Sequence, residues 1–205
     1  ITLDAVATTL LQGVADRGDA SILSALAEVL SQRGLYLRPQ AEWLPELLPG
    51  EGLLGSVVPT AEQTRDIEYG WRIARELARN DVGQCVVVSN RAIIAVEAIE
   101  GTDAAIRRAG EVGGAGACVV KVARPNQDPR FDLPAVGPET LRAMIDAGAS
   151  VLAFEAGRTL VLERNVLVAS ADDLGIAIVG VHPSRVPQVE TSAGGREVSA
   201  TELPE

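Results

Sequence analysis

Lysine and histidine are scarce in this chain of 205 residues: Lys121 is its single lysine and His182 its single histidine. Lysine, arginine and histidine form no basic run. The net charge of −10 offers no long-range attraction for nucleic acid or anionic lipid. An anionic small molecule stays within reach only if arginines or a bound cation neutralise it locally. Long apolar stretches are missing too. Runs such as VLAFEAG are far too short to span a bilayer, and no basic segment followed by an apolar one opens the chain. The expected compartment is the cytoplasm. Only two cysteines occur, Cys85 and Cys118, each inside an apolar strand-like run, which reads as buried reduced thiols rather than a disulfide or metal site. There is no Walker loop, no His/Cys metal-ligand pattern and no serine elbow. His182 precedes Pro183 near a polar tail, so acid and base work falls to carboxylates, Lys121 or water activated by a divalent ion.

What is present is ample apolar material, 47% of residues against 22% charged, enough for one large domain or two small ones. Helical spacing of Ile22, Leu23, Leu26, Val29 and Leu30 predicts a helix over 19–32 with Gly34 as its C-cap. A short strand is expected over 35–38, then a Pro- and Gly-punctuated linker of about twenty residues. A helix over 61–79 opens with Thr60 and Gln63 in capping-box spacing. Strands are then expected over 84–88, 92–99, 117–122, 151–155, 160–162 and 177–181. Helices are expected near Thr102, from Pro138 to Gly148 and over 166–174. The fold class is α/β, with a mixed or largely parallel sheet flanked by helices. Residues 1–55 read as the incomplete remainder of a smaller α/β N-terminal domain plus linker, 56–182 as a C-terminal catalytic domain and 183–205 as an irregular tail. Because Ile1 rather than Met opens the chain, an upstream segment is expected to have been removed.

Chemistry concentrates in two places. The first is VVKVARPNQDPRFDLP, an apolar strand that carries Lys121 and exits into Gln127, Asp128, Arg130 and Asp132. Charge at the exit of a buried strand is costly unless paired or used. The alternation of Asp128, Arg130 and Asp132 between Pro129 and Pro134 suggests an extended segment with these side chains on one face, able to hold a divalent metal beside a phosphate. Taken singly, such aspartates are more often turn residues.

The second place is Glu100-Gly101-Thr102-Asp103, a glycine turn opening a helix that carries Arg107 and Arg108. Free N–H groups of a first helical turn attract phosphate, and Gly101 lets the backbone approach. The simpler alternative is that Thr102 or Asp103 caps the helix and Asp103 pairs with Arg107. Glu97, set in an apolar strand, needs a partner: an arginine, Lys121 or a divalent cation.

At these residues the sequence resembles the LpxI-type UDP-2,3-diacylglucosamine pyrophosphatases of lipid A biosynthesis. Four blocks carry the match: DIEYGWRIARELARNDVGQCVVV from Asp66, AVEAIEGTDAAIRRAG from Ala95, VVKVARPNQDPRFDLPAVGPETL from Val119 and AFEAGRTLVLERN from Ala153. The resemblance implies hydrolysis of the pyrophosphate of UDP-2,3-diacylglucosamine by water attack at the α-phosphorus, giving UMP and 2,3-diacylglucosamine 1-phosphate. It implies Asp132 as the essential aspartate, with Lys121 beside it as a catalytic group. Asp132, Asp103 and Glu97 would handle a divalent metal, Mg²⁺ or Mn²⁺. Gln84, Gly101, Thr102, Arg107, Gln127 and Arg130 would contact substrate. The expected partners are the UDP-linked diacylated glucosamine, the inner-membrane surface in transient contact and a second copy in a homodimer, with no nucleic acid. Two alternatives stand beside it: another nucleotide-diphospho hydrolase of the same fold, and a non-catalytic nucleotide-binding module.

Overall fold

In the computed structural model, which describes residues 19–125 and 127–185 together with Asp4, Thr8 and Val14, the valine-rich stretches line up side by side as a six-stranded sheet. Three parallel strands form its middle: β4 (Cys118–Lys121), β6 (Val151–Glu155) and β8 (Ala177–Val181). Against β4 lies the hairpin of β2 (Cys85–Ser89) and β3 (Ala92–Val96), both pairings antiparallel. The short β1 (Gly52–Leu53) closes the other edge, antiparallel to β8. The spatial order is β1-β8-β6-β4-β2-β3, and β5 (Ala135–Val136) and β7 (Leu160–Val161) form a separate parallel pair. The sheet is therefore mixed and flanked by helices, as the sequence implies.

Period-two alternation sends successive strand residues to opposite faces, and both faces are covered. Val86, Val88, Cys118, Val120, Val151 and Ala153 pack against Ile67, Trp71, Ala74 and Ala78 of α2 (Ala61–Arg79). On the other face Cys85, Val87, Val119, Leu152 and Phe154 meet three helices, α3 (Thr102–Glu111), α4 (Pro138–Ala147) and α5 (Arg164–Asp173). Each buried Val, Leu or Ile contributes about 1.5–3 kcal/mol, so this sandwich supplies most of the driving force. The remaining helix, α1 (Asp19–Ser31), ends at Gly34 with φ +78°, and the N–H of Leu35 donates to the Leu30 carbonyl at 3.0 Å, a glycine C-cap as expected.

Helix boundaries follow local chemistry closely. Thr60 accepts from the Gln63 N–H at 3.2 Å while Gln63 Oε1 accepts from the Thr60 N–H at 2.8 Å, completing the expected capping box of α2. Gly148, at φ +69°, ends α4. Three expectations fail. No strand forms over 35–38, where the side chains are exposed and none of the described strands offers a ladder. The linker instead contributes β1, whose approach relies on Gly180, since a Cβ there would sit 2.4 Å from the Gly50 carbonyl oxygen. The strand from Ala92 stops at Val96, so Glu97 follows β3 rather than lying inside it. The tail expectation falls largely on residues 186–205, outside the described residues.

Where α3 crosses α4, a Cβ on Gly110 would lie 2.6 Å from Ala147 Cα and 3.1 Å from its Cβ. Gly110→Ala gains about 1 kcal/mol of helix propensity but forces two backbones apart. The expected net loss is about 1–3 kcal/mol in a urea-unfolding measurement. Unchanged or increased stability would contradict this close approach.

Candidate active site

The carboxyl ends of β4 and β6 point to the same edge of the sheet, where open α/β sheets bind ligands. Their last residues are Lys121 and Glu155, and both are buried. Because β2 runs antiparallel to β4, its first residue, Cys85, stands opposite Lys121, and Gln84 and Glu97 are drawn to the same edge. The Glu97 N–H continues the β2–β3 ladder onto the Cys85 carbonyl at 2.9 Å.

A relay of hydrogen bonds joins four of the predicted residues. Lys121 Nζ donates to Thr102 Oγ1 at 2.9 Å and to the Ala135 carbonyl at 2.8 Å. The Thr102 hydroxyl donates to Glu97 Oε1 at 3.0 Å, and Glu97 Oε2 accepts from the Gln84 N–H at 3.1 Å. Among the described residues Lys121 makes no ion pair: every ion pair there has an arginine as its cation, and the two partners of Lys121 are a hydroxyl and a carbonyl. Cys85 registers the local field. Burial pushes its thiol up to about 12, Lys121 opposes that rise, and Glu97 and Asp103 add to it. Cys118, on the opposite face, is also raised to about 12 by burial, with Asp66 adding to the rise.

The relay displaces the simpler reading of the glycine turn. Gly101, not Thr102 or Asp103, is the N-cap of α3, and no side chain caps the helix. Its φ of +84° favours glycine, while a Cβ would meet nothing within 4 Å, so the turn is open to a ligand. Asp103 stands in the first turn of α3. Arg107 pairs with Asp146 of α4 at 3.5 Å instead of with Asp103. Arg108 turns back to Glu100 and to the Val96 carbonyl, at 2.6 and 2.7 Å.

The loop leaving Lys121 returns to it through the Ala135 carbonyl, and Asp132 lies within it. The expected extended segment is in fact a turn: Asp128 O accepts from the N–H groups of Phe131 and Asp132 at 3.1 and 3.2 Å. Asp128 Oδ1 accepts from the Arg130 N–H at 3.0 Å, and the Arg130 guanidinium grips the same carboxylate at 2.6–3.1 Å while lying 4.9 Å from the Phe131 ring centroid. Asp128 is a turn residue, and Arg130 is its partner. Asp132 is exposed and accepts from Gln127 Nε2 at 2.6 Å, and Gln127 Oε1 accepts from the Arg124 N–H at 3.1 Å.

No group of three His, Cys, Asp or Glu side chains among the described residues is gathered closely enough to cage a metal. Mg²⁺ commonly needs only one or two carboxylates, with substrate phosphates supplying further oxygens, and Asp132 is an exposed carboxylate in the loop that leaves β4.

Sequence reasoning missed Glu155. Fully buried, it accepts from the Ala123 N–H at 2.9 Å and pairs with Arg75 at 3.2 Å and Arg158 at 3.3 Å. The signal was the one that marked Lys121, a charge closing an apolar strand. It also missed Asp66, buried on α2, which accepts from the Asn90 and Arg91 N–H groups at 3.0 and 2.6 Å and holds the left-handed turn of the β2–β3 hairpin.

The hydrogen bonds from the Arg130 side chain hold the Asp128 carboxyl below its ordinary range. A depressed carboxyl stabilises the folded turn above its unfolded pKa, and that contribution is lost as pH falls through the folded value. Carboxyl ¹³C NMR should show Asp128 titrating below the ordinary aspartate range, and Arg130→Met should raise it toward that range.

Residues 50–179 match the family model described as the LpxI C-terminal domain. The chain is also 35% identical over 181 residues to a Caulobacter vibrioides protein named UDP-2,3-diacylglucosamine pyrophosphatase LpxI, an overlap of 84% of this chain and 65% of that protein. The chain thus spans just under two thirds of that relative's length. On the strength of the matched domain, which carries both the β4 exit and the glycine turn, the chain belongs to the LpxI family.

Proposed function

We propose that this chain hydrolyses the pyrophosphate of UDP-2,3-diacylglucosamine to UMP and 2,3-diacylglucosamine 1-phosphate, a step of lipid A biosynthesis, with water attacking the α-phosphorus. The family and the relative's name support the substrate. The observation that carries the chemistry is the buried Lys121 ammonium, bonded to a hydroxyl and a carbonyl and, among the described residues, to no carboxylate directly, beside the N-terminus of α3, which no side chain caps. Such a cation at low dielectric favours an anion.

In this reading the pyrophosphate sits at the Gly101 turn, where backbone N–H groups of α3 face its oxygens. Thr102 holds the ammonium toward those oxygens, and Glu97 fixes the hydroxyl by accepting its hydrogen bond. Lys121 then stabilises charge that develops on the phosphoryl oxygens and the departing phosphate. Asp132, with Asp103 as a second candidate carboxylate, would hold a divalent cation, Mg²⁺ or Mn²⁺. That cation would supply charge neutralisation and a more acidic water. Glu97 contributes through Thr102 in the arrangement described, because both its oxygens are engaged. Gln84 joins the relay through its backbone N–H and Gln127 bonds to Asp132, while Arg107 and Arg130, tied to Asp146 and Asp128, reach substrate only by exchanging those partners.

No helix among the described residues is long and apolar enough to cross a membrane. A diacylated substrate would therefore bring a cytoplasmic protein to the inner-membrane surface, in transient contact and as a homodimer by the commonest oligomeric symmetry.

UMP release from UDP-2,3-diacylglucosamine tests the reading. Asp132→Ala and Lys121→Met should each lose about 100-fold or more in kcat, with the fold unchanged by circular dichroism. Chelation with EDTA should abolish turnover and Mg²⁺ or Mn²⁺ restore it. Near wild-type turnover by Asp132→Ala would remove Asp132 from the mechanism. Substrate binding without turnover would favour a non-catalytic nucleotide-binding module, and faster cleavage of UDP-GlcNAc would favour another nucleotide-diphospho substrate.

A further inference from the structure

Gln127 uses its amide in both senses. Its Oε1 accepts from the Arg124 N–H at 3.1 Å and its Nε2 donates to Asp132 Oδ2 at 2.6 Å. Rotating the amide by half a turn would set donor against donor and acceptor against acceptor, so only one orientation satisfies both neighbours. That orientation leaves Asp132 with one oxygen engaged, and no hydrogen bond from the described residues reaches Oδ1.

The backbone that orients Gln127 is itself fixed from the core. Fully buried Glu155 accepts from the Ala123 N–H at 2.9 Å. Arg158 spans the gap, its Nη1 on Glu155 Oε1 at 3.3 Å and its Nη2 on the Arg124 carbonyl at 3.1 Å. The Gln127 N–H also donates to that carbonyl, at 3.2 Å. A continuous path thus runs from the end of β6 through Arg124 and Gln127 to an exposed carboxylate.

We propose that Gln127 is a positioning residue for Asp132, held in place by the Glu155–Arg158 pair, and that it presents Asp132 Oδ1 to a divalent cation rather than contacting substrate. This rests on the reading of Asp132 given above. It also differs from the family resemblance, which implied Gln127 as a substrate contact. Outer contacts that orient a ligand commonly change metal affinity by about 10–100-fold.

The test is Mn²⁺ binding to the full chain in the presence of UMP, followed by electron paramagnetic resonance, for the wild type, Gln127→Met, Gln127→Ala, Arg158→Ala and Asp132→Ala. Circular dichroism confirms folding of each. Gln127 is only half-buried, so its variants test the contact even if Arg158→Ala is poorly folded. Both Gln127 variants should raise the Mn²⁺ dissociation constant about tenfold or more. Their turnover should fall at low Mg²⁺ and recover at high Mg²⁺, with KM for the nucleotide substrate unchanged. An unchanged Mn²⁺ dissociation constant in both Gln127 variants, while Asp132→Ala loses binding, would overturn the proposal alone. A raised KM with intact Mn²⁺ affinity would do the same and make Gln127 a substrate contact. Full Mn²⁺ binding by Asp132→Ala would overturn the proposal together with the reading of Asp132.

Discussion

A charged group at the end of a buried strand must find partners inside the protein, and two such groups organise this edge of the sheet. Glu155 closes β6 and Lys121 closes β4, side by side in a parallel ladder that pairs Lys121 with Phe154. The two solve the same problem in opposite ways. Glu155 gathers two arginines and a backbone N–H, so its charge is compensated within the chain. Removing one side of such a pair costs about 3–5 kcal/mol, which makes it a fixed point of the fold. Lys121 donates to a hydroxyl and a carbonyl, and the relay reaches a carboxylate, Glu97, only through Thr102. Direct pairing at one strand end and indirect pairing at the next set the two neighbouring strands apart.

The antiparallel hairpin gives the edge its second half. Three parallel strands alone would supply only exits, each followed by a loop. Adding β2 in the opposite sense brings a strand entrance to the same place, so Gln84 and Glu97 face Lys121 without a long connection. The cost falls at the far end, where Asn90 and Arg91 adopt positive φ in the turn. Buried Asp66 offsets it by accepting from both N–H groups.

Local chemistry made much of this legible in advance. Apolar runs bounded by glycine placed most strands, and caps such as Thr60 and Gly148 placed helix ends, because those signals act within a few residues. The identity of Lys121 as a strand-end charge was legible for the same reason. Contacts across long sequence distance were not. Nothing within a few residues of Thr102 says that its hydroxyl will serve Lys121 instead of its own helix, or that Arg107 will find Asp146. The alternation of Asp128, Arg130 and Asp132 fitted an extended chain equally well, but Asp128 forms a closer bond with Arg130 by folding the segment back. Two-residue strands such as β1 and β5 carry no periodicity to read.

The contact of Gly110 with Ala147 bears on how this edge could respond to a ligand. With no side chain between them, the two helix backbones meet as solid against solid, and the far end of α3 has no room to tip. The Gly101 end of that helix is then an abutment. The row of N–H groups at its first turn stays where the core put it, so an anion docking there would meet a fixed surface.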